Sequence, residues 1–182
     1  KNILKAFGLV DATIKYSGTD IETLYNKHVA TYYVNPNGQV IPEETALPVY
    51  IIGSPENIQK YAIPFKAYGL WSYIYGYIAL EGDGNTVAGF TVYQHKETPG
   101  LGGECEKPWF QDQFVGKKIT DSLGEFISVG VVKGKVKDSV PPSKHDFFVD
   151  GMSGATITSK GIERDLKVQL KSYEILSRRL RG

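Results

Sequence analysis

One cysteine, one methionine and three histidines leave this 182-residue chain few of the groups on which metal centres and disulfide scaffolds are built. Cys105 by itself excludes an internal disulfide framework and cannot form a thiolate metal site, while one cysteine does not fix a redox compartment. Charge of one sign is also lacking. Lys and Arg number 21 against 20 Asp and Glu, the signs are interspersed, and the net charge of +1 offers neither a basic field nor a polybasic tail, which argues against nucleic acid as a partner. The longest apolar run, Leu70 to Leu80, is interrupted by Ser72 and Gly76. It falls short of the ~20 residues that a membrane-crossing helix needs. The chain opens at Lys1 without Met and without a charged-then-apolar signal segment, and is expected to be a processed protein or a fragment of a longer one.

Hydrophobic residues make up 41% and aromatic residues 12%, enough to bury a core in one domain and to argue against disorder. Ile3, Leu4 and Phe7 share a helical face, so a short helix is expected to end near Gly8. Ser17-Gly18-Thr19-Asp20 predicts a turn, with Thr19 or Asp20 capping a second helix through Ile21, Leu24, Tyr25 and His28. His28 has no second ligand candidate nearby and reads as a packed or surface histidine. Asn35-Pro36-Asn37-Gly38 between two short apolar runs predicts a hairpin. Leu47 to Ile52 is another short apolar run, with Pro42, Pro48 and Pro55 excluding a long helix, and Ser54 to Tyr61 is expected to form a brief helical turn before Ile63-Pro64.

Leu70 to Leu80 and Thr86 to Gln94, separated by Asp83-Gly84-Asn85, predict an antiparallel hairpin at the centre of the sheet. Alternation places Tyr73, Tyr75 and Tyr77 on one face and Ile74, Gly76 and Ile78 on the other, with the aromatics read as core. Lys107 to Phe114 predicts a helical turn with an aromatic anchor. Phe126 to Val132 and Lys133 to Val136 read as strand material. The apolar stripe Ile162, Leu166, Leu170, Tyr173, Leu176, Leu180 predicts one helix from about Thr158 or Ser159 to the C-terminus. The expected fold is α+β: a mainly antiparallel twisted sheet, strongest at Leu70 to Gln94, with flanking helices. Residues 1–45 are expected to form a helical arm and hairpin and residues 46–182 the main body, the two making one compact unit.

Two stretches carry chemistry. His95-Lys96-Glu97-Thr98-Pro99-Gly100-Leu101-Gly102-Gly103-Glu104 is costly in backbone entropy for a mere connector, which favours close approach of a ligand. A metal on His95 with Glu97 or Glu104 lacks a convincing ligand set, and the glycines match neither the P-loop nor the dinucleotide fingerprint. Asp150-Gly151-Met152-Ser153-Gly154-Ala155-Thr156-Ile157-Thr158-Ser159 combines small residues and four hydroxyls with a helix start, where free N–H groups and the macrodipole favour an anion. The bland alternative is a Ser/Thr-rich N-cap without a ligand. A hydrolase built on Ser153 or Thr156 with His145 and Asp146 is disfavoured, because adjacent residues seldom point into one triad and no Gly-x-Ser-x-Gly is present.

Asp150 to Thr156 resembles the Asp-x-x-Ser/Thr-Gly-Ala-Thr acceptor motif of FMN-binding domains whose flavin is attached through its phosphate to a threonine. Gly69-Leu70-Trp71-Ser72-Tyr73-Ile74-Tyr75-Gly76, the His95 to Glu104 loop and Lys1 to Ala6 are similar to the C subunits of Na+-translocating NADH:quinone reductases, in preference to the related G subunits of Rnf-type electron transport complexes. The resemblance extends over nearly the whole chain. It implies that residues 46–182 are an FMN-binding domain and that Thr156 carries covalent FMN, installed by a separate flavin transferase using FAD and Mg2+. Ser153, Gly154, Ala155 and Thr158 would line the phosphate end. Thr98 and Leu101 would approach the flavin, with Gly100 and Gly102 allowing close backbone approach, Glu97 a candidate second contact and Trp71 near the ring. It further implies an electron-carrying subunit among other subunits of a bacterial inner-membrane complex, facing the periplasm and anchored by an N-terminal helix outside this sequence. A flavin-free interaction module of such a complex is the other class to be distinguished.

Overall fold

The computed structural model describes residues 1–11 and 13–182. Two helices open the chain, α1 (Asn2–Ala6) and α2 (Gly18–His28). The cap of α2 is Ser17, ahead of the expected Thr19 or Asp20: its hydroxyl accepts from Asp20 N–H at 3.1 Å while the Asp20 carboxylate accepts from Ser17 N–H at 3.0 Å. This reciprocal pair satisfies two otherwise orphaned donors, which a cap at Thr19 or Asp20 could not do.

Six strands follow: β1 (Ala30–Val34), β2 (Val40–Ile41), β3 (Pro48–Ser54), β4 (Asn57–Tyr68), β5 (Tyr73–Glu81) and β6 (Val87–Gln94). They form one antiparallel sheet in the order β2-β1-β3-β4-β5-β6, so the hairpin expected at residues 32–41 lies in the same sheet as the later strands. The β5–β6 hairpin forms as expected but lies toward one side of the sheet rather than at its centre, with β6 at the edge. β5 starts at Tyr73, because Leu70 to Ser72 make the turn from β4.

The brief helical turn expected at Ser54 to Tyr61 is instead the β3–β4 hairpin, closed by Pro55-Glu56 with Ser54 paired to Asn57. A proline in the twelve-residue β4 is tolerated for a readable reason. Pairing with β3 stops at Tyr50↔Ala62, before Pro64, while Pro64 still pairs with Tyr77 of β5. Backbone groups on one side of a strand repeat every two residues, so Pro64 presents its nitrogen to the same side as Tyr68. Tyr68 N–H donates at 2.7 Å to the Asp165 carboxylate, away from β5. The donor that proline lacks is therefore one that no ladder partner needs.

Each face of the sheet carries a packed layer. Ile63, Phe65, Ile74 and Ile78 pack with Phe110, Phe114, Ile162, Leu166 and Leu170 in the larger core, and Ala62 and Ala79 pack with Leu4, Phe7 and Val10 in the smaller one. The tyrosine face departs from the expected core role: Tyr73 is 47% exposed and Tyr75 and Tyr77 are half-buried, because the small N-terminal layer reaches only part of that face.

After β6 come α3 (Pro108–Gln111), β7 (Gly130–Val131), α4 (Val136–Ser139) and β8 (Phe148–Val149), with β7 and β8 forming a separate parallel pair. Only two residues of the expected Phe126–Val132 strand take that form. Lys133 to Val136 turns into α4, since Gly134 adopts a positive φ of 87° that takes the chain out of the extended region. The C-terminal segment begins earlier than expected and is divided into α5 (Thr156–Ser172) and α6 (Glu174–Arg181). At the break, Tyr173 leaves helical geometry and its hydroxyl donates to Pro48 O at 2.7 Å, re-aiming α6 while the apolar spacing runs on undisturbed.

Candidate functional site

The start of α5 is the structural centre of the motif that runs from Asp150. Ala155 occupies the N-cap position with no side-chain hydrogen bond to the first turn, so the Ser/Thr-capping alternative does not describe this helix. The helix thus presents free N–H groups and its positive dipole end beside Thr156. The four hydroxyls separate into two kinds. Thr158 Oγ1 donates to Glu97 Oε2 at 2.6 Å and Ser159 Oγ accepts from Met152 N–H at 3.2 Å, both residues being buried. Ser153 and Thr156 are exposed.

A second segment closes on the first. Gly154, at φ 69°, lies so near the 97–104 loop that a Cβ there would come within 2.9 Å of Leu101 Cδ2. Together the two loops border a cleft of about 560 Å³ lined by Gly100, Glu104, Trp109, Lys133 to Lys135, Gly151 to Gly154 and Thr156. Leu101 and Trp109 of this loop region, Trp71 of the β4–β5 turn and Ile157 of the first turn of α5 stay 43%, 42%, 64% and 62% exposed. Trp71 Nε1 donates to Thr98 Oγ1 at 3.2 Å, fixing the indole against the loop, and Trp109 Nε1 donates to Glu104 at 2.6 Å. Gly100 keeps a positive φ of 74° with open space around it, whereas Gly102 is buried.

Lys135 pairs with Asp150 at 3.0 Å and Asp150 also accepts from Val136 N–H at 2.7 Å, tying the 133–136 turn to the start of the motif. Burial raises the Asp150 carboxyl, but the Val136 N–H and the Lys135 ammonium hold it below its ordinary value. Trp109 and Lys135 are not foreseen from the sequence; each sits far from the motif along the chain, and no local spacing announces that folding brings them to one cleft.

Glu97 does not face the cleft openly. It is 5% exposed and accepts from Leu70 N–H at 3.1 Å and Trp71 N–H at 2.9 Å as well as from Thr158. Burial pushes its carboxyl up, yet these hydrogen bonds outweigh burial and leave it below the ordinary carboxylate value. A depressed folded-state value means that its stabilising contribution is complete above the unfolded value and is lost as pH falls through the folded one. Glu97→Gln should accordingly flatten the acid limb of stability against pH below about 4.3. Urea midpoints measured from pH 7 down to the acid transition would check this, and parallel curves for the two proteins would contradict it.

The residues considered for other chemistry are engaged elsewhere. His145 Nε2 lies 3.1 Å from Val140 O, and His95 lies between Glu97 N–H and Glu106. Cys105 is buried, and burial with the nearby Glu97 and Glu106 charges pushes its thiol up to about 12, so it stays protonated and unreactive. No helix among the described residues is long and apolar enough to cross a membrane.

An uncapped helix start carrying an exposed threonine and a glycine-rich loop with exposed side chains thus meet at one cleft beside the antiparallel sheet. The chain belongs to the FMN-binding domain family, whose model matches residues 69–171. Among individual proteins it is similar to the C subunit of the Na(+)-translocating NADH-quinone reductase of Pseudomonas aeruginosa, 45% identical over 115 residues that cover 63% of this chain and 43% of that protein. The corresponding protein of Yersinia pestis is 40% identical over 67% of this chain and 44% of that protein. The chain thus spans under half the length of these curated relatives. The crystal structure of the C subunit from Parabacteroides distasonis shares the fold at a TM-score of 0.79 and 34% identity, covering 96% of this chain and 89% of that one. The structure of Shewanella oneidensis NqrC gives 0.79 and 25%, over 98% and 94%.

Proposed function

We propose that this chain is the electron-carrying subunit of a membrane Na+-translocating NADH:quinone oxidoreductase and holds FMN covalently through a phosphoester on Thr156. The observation that carries the proposal is the convergence, at one cleft, of an exposed Thr156, an uncapped helix start and the Gly100 loop. The residues fit the group. Free N–H groups of the first helical turn and the nearby Lys133 and Lys135 suit a phosphate, and exposed Leu101 and Trp71 offer apolar surface to a planar ring system.

In this proposal Ser153, Gly154 and Ala155 line the phosphate end, and Thr158 braces it from behind through Glu97. Thr98, Gly100, Leu101 and Trp71 border the ring, with buried Gly102 keeping the loop close to the helix. Thr156 Oγ would hold the FMN phosphate as a phosphoester, giving up its proton as a separate flavin transferase with Mg2+ transferred the FMN moiety from FAD and released AMP. Bound FMN supplies the electron transfer, while the chain positions it and shapes its electrostatics. The domain would face the periplasm beside the other subunits of the complex, held at the inner membrane by a segment outside this sequence.

Coexpression with a flavin transferase tests the proposal. The expected product is yellow, keeps its visible absorption attached after denaturation, and carries a mass increment of one FMN. Colourless protein from a host that loads a known acceptor domain in parallel would overturn it.

A further inference from the structure

We propose that Glu97 is the positioning residue of the flavin site, a buried carboxylate that sets the Trp71 turn against the helix start bearing Thr156 and places a fixed negative charge beside the cleft. This role rests on Thr156 being the flavin anchor. One carboxylate joins three segments distant in sequence: the turn between β4 and β5, through Leu70 and Trp71 N–H, its own loop, and the first turn of α5, through Thr158 Oγ1. Ser72 N–H, at 3.4 Å, stands at the limit of a third backbone contact. Trp71 is therefore located from two sides, by its backbone through Glu97 and by its indole through Thr98.

Space around the carboxylate is reserved on two sides. A Cβ on Gly69 would lie 2.6 Å from Glu97 Oε1, and a Cβ on Gly102 would lie 2.6 Å from both Glu97 Oε2 and Thr158 Oγ1. Both glycines are thus explained by the carboxylate rather than by their own backbone angles, since neither has a positive φ. The charge is also uncancelled locally. Glu97 takes part in none of the ion pairs among the described residues, and dipoles alone satisfy it. A neutral amide could not make the same contacts, because Oε1 accepts from Trp71 N–H and Oε2 from Leu70 N–H and Thr158 Oγ1, and an NH2 group at either place would face a backbone donor, so the tie carries the desolvation cost of a buried ion. What an ion adds is an electrostatic field in a low-dielectric setting, which opposes placing a further negative charge on a nearby redox group.

Two variants test the charge and the tie. Glu97→Gln removes the charge and keeps one acceptor oxygen, for Trp71 N–H, while its NH2 group can donate to Thr158 Oγ1 but leaves Leu70 N–H without its acceptor. Once loaded with flavin, it should be reduced more easily, with the reduced-to-oxidised ratio at a fixed applied potential rising about tenfold over the unchanged chain. Glu97→Ala removes both. In protein without flavin, the Leu70 and Trp71 amides should then exchange with solvent at least about tenfold faster, while amides in the middle of β5 keep their protection. An unchanged reduction ratio in the Gln variant, or unchanged exchange at Leu70 and Trp71 in the Ala variant, overturns the role. Should the Ala variant not fold, the Gln variant decides it. If the unchanged chain accepts no flavin from the transferase, the flavin assignment fails instead, and the exchange measurement still tests Glu97 as the tie between turn and helix.

Discussion

Thr156→Val, coexpressed with a flavin transferase, should emerge with no attached flavin at all: its intact mass should lack the whole FMN increment carried by the unchanged chain. The loss is expected to be complete because valine matches threonine in shape and removes only the hydroxyl that would form the phosphoester. Stability should hardly move. Thr156 is exposed, and its side chain does not cap the helix it begins. Exposed substitutions of this kind stay within about 0.5 kcal/mol. Unfolding curves should therefore overlay while the colour disappears, which distinguishes a missing attachment point from a damaged fold. Ser153 is the other exposed hydroxyl of the motif, and a flavin increment persisting in the variant, on Ser153 or elsewhere, would refute the assignment.

Gly161→Ala carries the largest expected effect on stability. Considered as a helix residue alone, the change should help, since alanine is favoured over glycine inside a helix by about 1 kcal/mol. Packing reverses the sign. A Cβ at position 161 would fall well inside van der Waals contact with the Tyr68 carbonyl oxygen, and that backbone is held by the β4–β5 ladder and by the Asp165 bond to Tyr68 N–H. Neither side can yield without lifting α5 from the sheet. Overpacking of this kind costs about 1 to 3 kcal/mol, and against rigid backbone the upper end applies, leaving a net loss of about 2 kcal/mol. For a domain of this size that corresponds to a fall in Tm of about 4 to 8 °C. A Tm equal to or above that of the unchanged chain would show that the helix rides more loosely on β4 than its geometry states.

The two predictions differ in how far the residues alone could have led to them. The stripe Ile162, Leu166, Leu170 was legible because helical spacing repeats without interruption, and all three side chains are buried in the larger core. The β5–β6 hairpin was legible for the same reason at period two, with Asp83-Gly84-Asn85 marking its turn. β4 was not, because Pro55 and Pro64 mark its neighbourhood as irregular, and only the register with β3 reveals why Pro64 is tolerated. The break at Tyr173 was hidden since it depends on a bond to Pro48, far away along the chain.

The candidate site divides along the same line. Composition and spacing point to an anion beside a helix start, and resemblance to a family is needed to choose Thr156 among four hydroxyls. Folding narrows the four to two by turning Thr158 and Ser159 inward, to Glu97 and to Met152 N–H, and leaving Ser153 and Thr156 exposed. The buried position of Glu97 could not have been anticipated from a loop rich in glycine, where an acidic residue reads as solvated.

Pro64 has a bearing on how copies of this chain behave toward one another. Beyond Ala62, β4 has lost its β3 partner, and strand backbone without a neighbour is a template on which a second molecule can add a strand. Along this stretch Pro64 presents no donor, Lys66 places an exposed cation, and Tyr68 N–H is already occupied by Asp165. The open flank of the longest strand is thereby unsuited to intermolecular β-pairing, so the chain can keep its sheet short on one side without inviting aggregation there.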